Sequence, residues 1–167
     1  MSVEEHKTHA PQSVGCFVLT VSDTRTEAND TGGHAVRELL EMSGHTIAGH
    51  AIVRDDPDAV TSTVIGWLGD AATQVIITTG GTGITSRDGT FEAIDGLLEK
   101  RLTGFGELFR MLSYEQIGAA AMMSRATAGR VRGKAIFVLP GSPEAVRLAM
   151  TKLIIPELGH VVQQLKR

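Results

Sequence analysis

Five uninterrupted β-formers, Val75-Ile76-Ile77-Thr78-Thr79, run straight into Gly80-Gly81-Thr82-Gly83. An apolar run without polar alternation reads as a strand buried on both faces, which requires helices above and below it. A run of this kind fits the interior of a parallel α/β sheet. Two other runs match it, Cys16 to Val21 and Ala135 to Leu139, and His45 to Val53 reads as a further strand. Helical spacing fills the intervals. Ala35, Val36, Leu39, Leu40 and Ser43 form one stripe, closed by Gly44. Val60, Val64, Trp67 and Leu68 form another, capped at Asp55-Asp56-Pro57 and running to about Ala72. Helices are also predicted over Thr90 to Arg101, Phe105 to Ile117, and from Pro143 onward, with Pro156 kinking or restarting the last. Ser124 to Val131 reads as an edge strand. Strands alternating with helices imply right-handed crossovers, so the expected fold is α/β, a three-layer αβα with a mainly parallel central sheet.

A chain of 167 residues is one domain by size. Residues 1–12 read as a flexible tail and 13–167 as a single α/β domain. Sixteen Lys and Arg against nineteen Asp and Glu give a net charge of −3, so no basic field favours nucleic acid or an anionic membrane. Aromatic residues are 4%, too few for a base-stacking platform. A lone Cys16 excludes an internal disulfide framework and a thiolate zinc cluster. Met1 to Pro11 contains no apolar signal core, and no stretch approaches the ~18 apolar residues of a membrane helix. The expected location is the cytoplasm.

Ligands of open α/β sheets bind beyond the carboxyl ends of the strands. Four loops qualify: Ser22-Asp23-Thr24, Arg54-Asp55-Asp56, Gly80 to Gly89, and Pro140-Gly141-Ser142-Pro143. Three glycines within Gly80 to Gly83 let the backbone turn sharply and bring N–H groups to an anion, although the same run also suits a plain βα turn. It is neither a Walker A loop nor G-x-G-x-x-G: Ala128 and Ala135 spoil the first around Gly133-Lys134, and Ile84-Thr85-Ser86 follows Gly83 in the second. Asp55, Asp56 and Asp88 beside a phosphate loop need a shared cation such as Mg²⁺, unless they serve as helix caps. Asp56 reads as the cap before Pro57, and Asp88 also reads as a cap for the helix near Thr90. Ser113 and Ser124 flank the apolar run Ala119 to Met123, where capping is the competing role.

Taken in order, Val21-Ser22-Asp23-Thr24, Thr78 to Gly83, Arg87-Asp88, Gly104 to Ser113, Ser124-Arg125-Ala126 and Pro140-Gly141-Ser142-Pro143 resemble the MoaB/MogA family of molybdenum-cofactor biosynthesis proteins. The segment Gly104 to Gly118 is similar to the MoaB branch in particular. The resemblance spans about Cys16 to Leu158. It implies a molybdopterin adenylyltransferase, which passes AMP from Mg-ATP to molybdopterin and releases pyrophosphate. On that resemblance Asp55 and Asp88 are the catalytic acidic positions and hold Mg²⁺ through phosphate or water. Gly80, Gly81, Thr82 and Gly83 form the substrate loop. Ser22, Ser113 and Ser124 supply hydroxyls, and Pro140, Gly141 and Ser142 a second loop. It also implies a homotrimer or hexamer, with transient contacts to other cofactor-biosynthesis proteins. Gly89 and Phe91 depart from the family, where many relatives carry a β-branched residue and proline.

Two other readings belong to different classes. One is a non-catalytic protein that binds molybdopterin or its precursor and delivers it. The other is a domain of the metal-inserting protein of the same pathway, for which 167 residues leave no room for further domains.

Overall fold

The computed structural model describes residues 2–167. Its strands are β1 (Gly15–Val21), β2 (Thr46–Val53), β3 (Val75–Thr79), β4 (Lys100–Arg101), β5 (Thr127–Val131) and β6 (Lys134–Leu139). They form a six-stranded sheet in the order β2-β1-β3-β6-β5-β4. The first four in that order are parallel, and β5 and β4 add antiparallel at one side. The helices are α1 (Val3–Thr8), α2 (Thr31–Met42), α3 (Pro57–Leu68), α4 (Thr90–Asp95), α5 (Thr103–Ile117), α6 (Pro143–Ala149) and α7 (Ile155–Leu165).

Side-chain alternation along the strands divides the core in two, which makes the three layers. Cys16, Val18, Val75, Ile77, Phe137 and Leu139 face α2, α5, α6 and α7. Phe17, Leu19, Val21, Ile76, Ile136 and Val138 face α3 and α4. Every residue of β1 and β3 is buried, as an unbroken apolar run demands. Cys16 is one of them, its thiol pushed up to about 12 by burial, and it fills core volume.

Three sequence expectations are corrected. The helix expected over Thr90 to Arg101 ends at Asp95, because Gly96 interrupts it. The chain then joins the sheet: Glu99 N–H donates to Arg130 O and Leu102 N–H to Ala128 O, so strand pairing satisfies these donors. Arg101 grips Asp95 with two charged hydrogen bonds of 2.8 and 2.9 Å. β5 is therefore covered by β4 and is not the edge. α3 stops at Leu68 rather than Ala72, with Gly69 as its C-cap. Within the tail, Val3–Thr8 is helical, with Ser2 and Glu5 forming a reciprocal capping box. Pro156 acts as expected: a π-helical turn over Met150–Ile154 absorbs its missing N–H before α7 resumes.

No described helix is long and apolar enough to cross a membrane. The β2 edge delivers the Asp55 loop, so its packing sets where that loop lies. Trp67 of α3 stacks on Phe17 of β1 with ring centroids 4.1 Å apart, and its ring covers Gly49 of β2. A Cβ on Gly49 would lie 2.3 Å from Trp67. Gly49→Ala is expected to displace the only tryptophan, costing about 1–3 kcal/mol and lowering Tm by several degrees. Thermal melts and tryptophan emission check this; parental values for both would contradict the packing.

Candidate functional site

The chain leaves β1 through α2 on one face and returns from β2 through α3 on the other. The crossovers depart from β1 and β3 in opposite directions, which opens a crevice beyond their carboxyl ends. Ser22 follows β1, Asp55 follows β2, Gly80 follows β3 and Pro140 follows β6. All four loops lie at this one edge.

The glycine loop is built by contact rather than by flexibility. Gly80 donates to Leu139 O at 3.0 Å and turns at φ +90, where a Cβ would meet Val21 O at 2.2 Å. Gly81 turns at φ +69, and a Cβ there would sit 2.0 Å from Thr90 Oγ1 and 2.8 Å from Asp55 Oδ2. Gly83 needs no positive φ; its constraint is Asp88, whose Oδ2 would be 2.6 Å from a Cβ. Thr82 is buried between them.

Both carboxylates thus border the loop, but they are held differently. Asp55 is buried, with Oδ1 accepting from Gly89 N–H at 3.2 Å and the Thr90 hydroxyl at 3.3 Å. Among the described residues Oδ2 has no donor. Burial pushes the Asp55 carboxyl above its usual value; those two hydrogen bonds oppose the shift, and the charges of Asp88 and Asp23 add to it. Asp88 Oδ2 accepts from the Thr85 N–H at 3.0 Å and hydroxyl at 2.5 Å. It therefore folds its own loop back and does not cap α4, whose N-cap is Gly89 without a side-chain bond. Asp56 does cap α3, accepting from Ala59 N–H at 2.9 Å.

Two cavities meet at Gly80 and Gly141. One of about 340 Å³ lies over the β1–β3 crevice and includes Ser22, Arg25, Asp30 and Ser142. The other, about 360 Å³, runs along Gly80 to Gly83 past Asp88 to Ser124 and Pro140. Ser113 borders neither. It faces a smaller cavity of about 120 Å³ shared with Ser124 and Ser142. Ser113 lies inside α5 and Ser124 after a 3-10 helix over Gly118–Met123, so Ser113 is no helix cap. Ser22 Oγ accepts from the N–H groups of Thr24 and Arg25 and so shapes the first loop. Ser142 Oγ accepts from Ala145 N–H, capping α6. A roomier cavity of about 440 Å³ between α5 and α7 is mainly apolar and includes none of these loop residues in its lining.

Four further residues belong to the site, with roles that the sequence alone does not assign. Arg87 pairs with Asp23 through two bonds of 2.7 and 2.9 Å, tying the glycine-loop segment to the first loop. That guanidinium holds the Asp23 carboxyl below its ordinary range. Asp30 is buried and accepts from the Thr20 hydroxyl at 2.7 Å and Gly33 N–H at 3.0 Å. Arg125 reaches the glycine loop itself. Only spatial neighbours identify these roles: Thr20, Asp23 and Thr82 lie 10, 64 and 43 residues from their partners in sequence.

Comparison with known proteins agrees with this architecture. Residues 17–160 match the family model described as "Probable molybdopterin binding domain". Molybdenum cofactor biosynthesis protein B of Bacillus subtilis is 54% identical over 168 residues, spanning 100% of this chain and 99% of that protein. A crystal structure of a molybdenum cofactor biosynthesis protein B superposes with a TM-score of 0.92 at 49% identity, over 95% of this chain and 99% of the other. The tungsten cofactor synthesizing protein MoaB from Pyrococcus furiosus gives a TM-score of 0.87 at 37% identity, over 95% and 100%. Family-model match, fold and near-complete coverage agree: the chain belongs to the MoaB/MogA family.

Proposed function

We propose that this protein works in molybdenum-cofactor biosynthesis as a molybdopterin adenylyltransferase, passing AMP from Mg-ATP to molybdopterin. The observation that carries this reading is Asp55. A buried carboxylate with one oxygen left free beside Gly81 disfavours its own ionisation, and a helix cap needs no such arrangement.

In the transfer, an oxygen of the molybdopterin terminal phosphate attacks the α-phosphorus of ATP. One P–O bond forms, the bond to the β-phosphate oxygen breaks, and pyrophosphate leaves. Such displacements depend on positioning and on neutralising charge. The glycine loop brings backbone close to the phosphates, and the Ser124 and Ser22 hydroxyls border the two cavities that would hold the substrates. Among the described residues no three His, Cys, Asp or Glu converge to cage a metal. Asp55 Oδ2 and Asp88 Oδ1, each without a donor, suit an ion that takes its other ligands from phosphate and water. Magnesium bound there would supply charge neutralisation for the triphosphate. Purified protein given ATP, magnesium and molybdopterin is expected to release pyrophosphate and form adenylylated molybdopterin. Tight molybdopterin binding without pyrophosphate release would instead favour the delivery reading.

The assembly proposed is a homotrimer or hexamer. Leu108, Met111, Tyr114 and Ile117 form an exposed row at three-residue spacing on α5, continued by exposed Met122 and Met123. Light scattering at micromolar concentration is expected to give a mass of three or six chains; a monomer would contradict this.

Asp88→Asn and Asp55→Asn are expected to lower adenylylation by ~10²-fold or more, the scale of losing one preorganised electrostatic group, while Asp56→Asn stays mild. Magnesium titrations of all three variants check this, and parental turnover in the first two would contradict the assignment. Asp55 also yields a stability prediction of definite sign. Its folded pKa lies above the ordinary 3.8, so the native state holds the proton more tightly and stability falls as pH rises through that interval. Above it, the ionised carboxylate costs stability. At pH 7 Asp55→Asn is therefore expected to melt no lower than the parent and up to about 4 °C higher, with the gain shrinking towards pH 4. A clearly lower Tm at pH 7 would mean that the carboxylate serves the fold.

A further inference from the structure

Arg125 lies between the 3-10 helix and β5, half-buried, with all three guanidinium nitrogens hydrogen-bonded. Nε donates to Thr82 O at 2.9 Å and Nη2 to Gly83 O at 2.7 Å. Nη1 donates to Glu92 Oε1, and Nη2 also reaches Glu92 Oε2 at 3.3 Å. Its central carbon sits 4.9 Å from the centroid of the Phe91 ring. Two neighbours on α4 thus fix the guanidinium, and the guanidinium fixes two consecutive carbonyls of the glycine loop.

The consequence lies in peptide geometry. No peptide bond among the described residues is cis. In a trans peptide the carbonyl and the next N–H point in opposite directions. Thr82 O turned onto Arg125 therefore directs the Gly83 N–H away from it, and Gly83 O does the same for Ile84 N–H. Neither N–H donates to any group among the described residues. Gly83 also lines the cavity that runs from Gly80 to Ser124.

We infer that Arg125 is the positioning residue of the glycine loop: by holding the Thr82 and Gly83 carbonyls, it turns the Gly83 and Ile84 N–H groups outward as a paired donor for phosphate oxygens. Resting on the adenylyl-transfer reading, this deepens it by naming what orders the phosphate-binding backbone. Four of the five N–H donors of Arg125 are spent on Glu92 and the two carbonyls, so its part is to hold the loop rather than to grip the anion with its fork. A positive charge alone does not substitute for it. A lysine ammonium lacks the planar fork needed to hold two carbonyls and a carboxylate together.

Inorganic pyrophosphate is the probe, titrated into the full chain and followed by calorimetry and by amide NMR. In the parent, the Gly83 and Ile84 amide resonances are expected to move most. Arg125→Met is expected to weaken binding by about tenfold or more, the scale of one misaligned hydrogen bond to a charged group, with Arg125→Lys recovering only part of it. Phe91→Leu loosens the guanidinium without removing it, and is expected to weaken binding by about threefold with the fold intact. Amide exchange at Gly83 and Ile84 in the ligand-free Arg125 variants is expected to differ from the parent while β1 and β3 stay protected. Parental pyrophosphate affinity in Arg125→Lys and Phe91→Leu overturns the proposal, as do parent resonance shifts centred away from Gly83 and Ile84. Pyrophosphate binding that depends on Arg125 without any adenylylation of molybdopterin leaves this proposal standing and removes the enzymatic reading alone.

Discussion

Backbone meets backbone where the chain leaves the paired carboxyl ends of β1 and β3, and the site is laid out around that contact. Gly80 turns into left-handed space directly over Val21 O, where a Cβ would be 2.2 Å away. Gly141 lies against Gly80, with its own Cβ position 3.3 Å from the Gly80 Cα. Gly32, in the first turn of α2, abuts Gly141 O, which a Cβ there would meet at 3.0 Å. Two loops and the first turn of α2 thus stack through glycines at the switch point, with no room for a Cβ at Gly80 and only tight room at Gly32 and Gly141. This closeness makes two cavities share a wall and brings hydroxyls from different crossovers to one edge.

The electrostatics of that edge are divided between paired and unpaired charge. Asp23 and Arg87 neutralise each other across the entrance, and Glu92 neutralises Arg125 behind the loop. Exposed pairs of this kind contribute little stability, so their value lies in holding loop segments in register. Asp55 has no cationic partner within its hydrogen bonds, only Gly89 N–H and Thr90 hydroxyl. Its charge is tolerated at a cost to folding, and in the proposed reaction that cost is offset when a cation and a triphosphate arrive together.

The layered fold is legible in the sequence because buried strands and amphipathic helices differ so plainly in period. Val75 to Thr79 and Cys16 to Val21 read as buried strands, and both are strands with every residue buried. Thr90 to Arg101 misleads because Leu97 and Leu98 serve a helix stripe and a strand approach equally well; Gly96 is the signal that separates them. Spacing puts Asp55 and the glycines at the strand ends, but it does not tell a cap from a free carboxylate. Asp56 and Asp88 show why: both precede a helix, and only the first caps one. The roles of Arg125 and Arg87 escape sequence reasoning because an arginine's partner is fixed by tertiary geometry, here 43 and 64 residues away.

Membership in the MoaB/MogA family puts this architecture among cofactor-biosynthesis proteins, and its chemistry turns on what the glycine loop receives. A crystal structure of the protein grown with magnesium and a non-hydrolysable ATP analogue tests this most directly. The triphosphate is expected along Gly80 to Gly83, with oxygens at the Gly83 and Ile84 N–H groups and the free oxygens of Asp55 and Asp88 facing it. A nucleotide bound in the apolar cavity between α5 and α7, with the glycine loop untouched, would contradict it.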